Sequence, residues 1–99
     1  MTQLKYIQPE QADTIRAVIN ACLKREPEGF FKVYDTESFV IKSRSAEKIL
    51  EALDGGDEEA GLNFYANGKC LGWFGVLPYE DDCIFDHSDN EFCNNIMKE

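Results

Sequence analysis

The sequence predicts an α+β fold: a single domain with an antiparallel sheet of four to five strands built from two hairpins, and three helices packed mainly on one face. Three observations predict it. The chain has 99 residues, enough for one domain and not for two, so the domain is read as running over 1–99. Segments with apolar residues three and four apart alternate with short aromatic and β-branched runs, marking helices and strands. The strand runs come in pairs joined by turn residues, and hairpins alternating with helices favour an antiparallel sheet covered on one side.

Leu4-Lys5-Tyr6-Ile7 alternates apolar and polar residues and reads as a short initial strand. Pro9 suits the first turn of a helix, where its missing N–H costs nothing. Ala12, Ile15, Val18, Ile19, Cys22 and Leu23 form that helix's apolar stripe, and Pro27 and Gly29 end it. Residues 30–34 and 38–42 make a first hairpin around Asp35-Thr36-Glu37. Ser45 caps a second helix with Ala46, Ile49, Leu50 and Leu53 inward, stopped by Gly55-Gly56.

Asn67-Gly68 predicts a two-residue turn, because both residues accept positive φ. An uninterrupted ladder from that turn pairs Ala66 with Lys69, Phe64 with Leu71 and Leu62 with Trp73, all on one face. Tyr65 and Phe74 then point to the other face. Cys83-Ile84-Phe85 reads as one more short strand. Ser88 and Glu91 have the spacing of a capping box for a last helix with Phe92, Cys93 and Ile96 inward.

Leu4–Lys24 resembles the opening strand and helix of the GNAT superfamily of N-acetyltransferases. Asn67-Gly68-Lys69-Cys70-Leu71-Gly72-Trp73 resembles that family's central hairpin. The resemblance covers about half of the chain. The family's acetyl-CoA loop, a basic residue followed by spaced glycines opening a helix, is absent, and the 30–42 hairpin does not fit. Acetyl transfer is therefore not inferred.

Charge carries more information. Ten Lys and Arg stand against nineteen Asp and Glu, a net charge of −9. That excludes a simple nucleic-acid binder, which needs a basic face to displace counterions, and disfavours docking on anionic membranes. The excess is uneven. Residues 1–44 carry seven basic and six acidic groups, whereas residues 45–99 carry three and thirteen. No export signal, lipidation motif or membrane-length apolar run is evident, so the expected setting is cytoplasmic, with Cys22, Cys70, Cys83 and Cys93 reduced.

No phosphate-binding glycine loop, G-x-S-x-G or H-E-x-x-H occurs. His87 beside Cys83 or Cys93 is the one conceivable nucleophile–base couple, and its acidic neighbours read as a solvated loop. The 80–91 segment is rich in oxygen ligands but fails the EF-hand frame, which would need glycine where Glu91 or His87 stands. The cysteines lack the closely spaced pairs of a structural zinc site. No catalytic residue, metal or cofactor is expected.

The expected function is therefore non-enzymatic: an acidic interaction protein, an inhibitor or regulator, docking carboxylates on a basic partner such as a nucleic-acid-binding protein. The residues assigned to that surface are Asp54, Asp57, Glu58, Glu59, Glu80, Asp81, Asp82, Asp86 and Asp89. The alternative is a small-molecule- or cation-binding domain using the 80–91 loop and the aromatic residues Tyr65, Trp73, Phe74 and Tyr79. The same aromatic residues would serve a homodimer formed through an uncovered sheet face.

Overall fold

A computed structural model describes residues 3–98. Helix α1 (Pro9–Arg25) leads into strands β1 (Phe30–Tyr34) and β2 (Phe39–Ser43). Helix α2 (Ala46–Leu53), strands β3 (Ala60–Ala66), β4 (Lys69–Val76) and β5 (Ile84–His87), and helix α3 (Glu91–Met97) complete the order. The five strands form one antiparallel sheet, β2-β1-β3-β4-β5, in a single α+β domain.

The expected apolar stripes become the helix side of the core. Ile15, Ile19, Cys22, Ile49 and Leu50 are fully buried, and they meet Phe31, Val33, Leu62, Phe64, Phe74 and Val76 from the sheet. Helix α2 lies over β2, α3 over β4, and α1 packs against both helices. Strand β3 alternates between buried and half-buried residues along its whole length, as expected where helices cover one face of a sheet.

Several local readings differ from expectation. Leu4–Ile7 is not a strand. Its backbone bends around the Asp54 carboxylate, which accepts hydrogen bonds from Lys5 N (2.8 Å), Tyr6 N (2.8 Å) and Ile7 N (2.9 Å). With those donors taken by a side chain, the segment needs no sheet partner.

The cap of α3 is Asn90 rather than Ser88: Asn90 Oδ1 accepts from Cys93 N at 2.8 Å. Ser88 serves the sheet instead. Its Oγ accepts from Trp73 N, and its own N–H donates to Trp73 O, both at 2.9 Å.

The largest correction lies in the β3–β4 hairpin. The Asn67-Gly68 turn forms, with φ of 54° and 78°, and Ala66 faces Lys69. The ladder then slips between Phe64 and Tyr65, so Phe64 faces Gly72 and Leu62 faces Phe74. One extra residue on β4 reverses the facing of everything beyond it. Phe74 is consequently fully buried under the helices, and Trp73 lies opposite Asn63 on the other face.

Candidate functional site

The face turned away from the helices is the first element of the site. Alternation places Phe30, Lys32 and Tyr34 of β1 on it beside Tyr65 of β3 and Trp73 of β4. The rings of Phe30 and Tyr65 stack at 5.6 Å, and Tyr34 meets Phe39 edge-on at 5.7 Å. Trp73 meets Phe85 edge-on at 6.3 Å.

Gly61 and Gly75, paired across β3 and β4, form a floor for the Trp73 indole. A Cβ at Gly61 would stand 2.6 Å from Trp73 Nε1, and one at Gly75 would stand 2.8 Å from the ring. The chain's own lysines occupy two of these rings. Lys32 Nζ lies 4.7 Å from the centre of Tyr65, and Lys42 Nζ lies 4.5 Å from that of Phe30.

The second element is an acidic end. The β1–β2 turn, the loop from α2 to β3 and the loop from β4 to β5 all emerge at the same end of the sheet. Thr36 ties the first two together, its Oγ1 donating to Asp57 at 2.9 Å. Tyr79 ties the second and third. Its hydroxyl accepts from Gly55 N (2.8 Å) and faces the carbonyls of Leu53 (3.0 Å) and Gly56 (3.2 Å). Gln11 Nε2 reaches Asp81 at 3.1 Å from the start of α1.

The result is a rim holding Asp35, Glu37, Asp57, Glu58, Glu59, Glu80, Asp81 and Asp82. The basic residues Lys24, Arg25, Arg44 and Lys69 lie toward the opposite end. The division by sequence halves is thus not a division in space, because Asp35 and Glu37 from the near-neutral half join the acidic rim.

The expected acidic residues do not all converge. Asp57, Glu58, Glu59, Glu80, Asp81 and Asp82 share the rim and are exposed. Asp54 is half-buried and structural. Burial raises its pKa, but the three backbone N–H bonds outweigh that and hold it below the ordinary carboxylate value. Asp86 sits on edge strand β5 and bonds to His87 N, while Asp89 accepts from Asn94 Nδ2 ahead of α3. Asp35 shapes its turn by accepting from Glu37 N, Ser38 N and Ser38 Oγ, and those bonds lower its pKa.

Of the expected aromatic residues, Tyr65 and Trp73 stand on the open face. Phe74 belongs to the core and Tyr79 braces the loops, so neither joins them.

Where the rim meets the open face lies a groove of about 480 Å³. Trp73 and Tyr34 are its aromatic walls, Asp35 and Glu59 its carboxylates, and Gly61 and Asn63 belong to its floor. Asn63 Oδ1 is buried and has no hydrogen-bond partner among the described residues. Sequence reasoning missed Phe30, Lys32, Tyr34 and Asn63. The signal was available in the period-two alternation of 30–34, which sets Phe30, Lys32 and Tyr34 on one side.

The chemistry elsewhere is quiet. Cys22, Cys83 and Cys93 are buried and Cys70 is exposed, and none of the four is in a disulfide. Burial pushes the Cys83 and Cys93 thiols up in pKa. Cys83 Sγ points to Gln11 O, and His87 Nδ1 lies 3.0 Å from Ser88 O. Among the described residues, no group of three or more His, Cys, Asp or Glu side chains is arranged to hold a metal ion, and no helix is long and apolar enough to cross a membrane. Comparison with protein-family models, with curated proteins and with solved structures returns no match to this chain.

Proposed function

We propose that the protein is a non-enzymatic interaction module that docks its acidic rim on a basic protein and so acts as an inhibitor or regulator. One observation carries the reading: three loops distant in sequence are braced at one end of the sheet, gathering eight carboxylates. Such a field attracts cationic surfaces, repels nucleic acid, and accelerates association at low salt. A partner whose own groove holds nucleic acid fits this chemistry, since the carboxylates would compete where phosphates bind.

General acid–base work is no part of this reading, because catalytic carboxylates are ordinarily buried and perturbed, whereas Asp57, Glu58, Glu80, Asp81 and Asp82 of the rim are exposed. A cytoplasmic setting accords with four cysteines outside any disulfide. The cation-binding alternative has less support, because Asp81, Asp86 and Asp89 in the 80–91 segment turn to separate partners.

The test is affinity capture with the full chain at low and high salt. The recovered protein is then titrated against wild type and a Glu58→Lys/Glu80→Lys/Asp82→Lys variant. These three side chains are exposed, and the substitutions leave the Thr36–Asp57, Gln11–Asp81 and Tyr79 contacts in place. The expected partner is basic, loses about tenfold or more in affinity between roughly 50 and 500 mM salt, and does not bind the variant. Recovery of no basic protein at low salt, or equal binding to the folded variant, overturns the proposal.

A further inference from the structure

We infer that the groove between Trp73 and Tyr34 is an arginine-binding site, which receives a guanidinium from the basic partner of the acidic rim. The inference rests on the docking reading and adds a specific contact to it.

Four observations converge on a cationic ligand with planar donors. First, the groove joins two aromatic rings to two carboxylates, Asp35 and Glu59. Trp is the best ring for a cation, and arginine both stacks on aromatic faces and offers five donors. Second, Tyr65 and Phe30 on the same sheet face already hold Lys32 and Lys42, whereas no cation of the chain lies over Trp73 or Tyr34 among the described residues. Third, Asn63 lines the groove and its Oδ1 is buried without a donor among the described residues, and a buried acceptor left in that state is costly until something supplies one. Fourth, Gly61 and Gly75 let the indole lie against the sheet, where side chains would otherwise lift it away.

A volume of about 480 Å³ admits a side chain and its flanking backbone. A lysine ammonium would gain the carboxylates but match the rings and Asn63 less well, since it is compact and strongly hydrated.

Trp73 is the sole tryptophan, so its fluorescence reports on the groove directly. The experiment titrates the full chain at low salt with a capped arginine hexapeptide and, separately, with its lysine counterpart. The arginine peptide is expected to bind about tenfold more tightly, with a saturable change in Trp73 emission.

Two variants then locate the effect. Trp73→Ala removes the arginine preference, read by calorimetry. Asn63→Leu removes the orphan acceptor, so it keeps the fold at least as stable while weakening arginine binding several-fold. Equal binding of the two peptides with unchanged emission overturns the arginine site and leaves the docking rim standing. Retained arginine preference in folded Asn63→Leu and Trp73→Ala also overturns the site. Failure of both peptides to bind at low salt overturns the rim and the groove together.

Discussion

Asp54 does at one position what a strand partner would otherwise do, holding three consecutive backbone N–H groups at the start of the described chain. Replacing it with Ala leaves those donors to solvent and is expected to cost about 2 kcal/mol, read as a lower urea midpoint. The same contact makes stability depend on acid. Its folded pKa lies below that of the unfolded chain, near 3.9, so the contribution is complete above that value. It is lost as pH falls through the lower folded value. Denaturation midpoints measured between about pH 6 and 3 should therefore fall more steeply for wild type than for Asp54→Ala. The thiols give a second test at this scale. A thiol reagent should modify Cys70 in the native protein and reach Cys22, Cys83 and Cys93 only after unfolding, because those three are buried and burial opposes formation of the thiolate at Cys83 and Cys93.

Among the elements, β4 decides how the site is built. Gly72 lies under α3, where a Cβ would collide with Cys93 Sγ, which sits in the buried core. Gly72→Ala is expected to destabilise the fold by about 1–3 kcal/mol through overpacking, measured by thermal or urea unfolding. This strand also marks where the sequence stops being legible. The α1 and α2 stripes, the Ser45 cap and the Asn67-Gly68 turn depend on neighbouring residues, and a chain pattern reveals them. The ladder slip beside Tyr65 depends on tertiary packing: it places Phe74 beneath the helices and leaves Trp73 to lie on Gly61 and Gly75. Periodicity alone carries no signal for an inserted residue, so the two rings exchange faces. Leu4–Ile7 was illegible for a similar reason, since its partner is a side chain almost fifty positions away.

For the molecule as a whole, charge has a direction. The acidic rim and the basic Lys24, Arg25, Arg44 and Lys69 lie toward opposite ends of the sheet, so the −9 net charge understates the local field at the rim. That polarity was only half legible. The excess of Asp and Glu after residue 45 is plain in the sequence, but the entry of Asp35 and Glu37 into the rim follows from the pairing of β1 with β3.

Strand β2, at the sheet's margin, has one further consequence. It presents an unpaired backbone row beside the exposed side chains of Phe39 and Val40, the arrangement that seeds stacking of one chain on another. Lys42 and Arg44 guard that margin, and mutual repulsion between molecules of like charge keeps copies apart at neutral pH. The repulsion vanishes near the isoelectric point of about 4.5. Colloidal stability should therefore fail there first, with light scattering rising near that pH and Val40→Lys suppressing the rise.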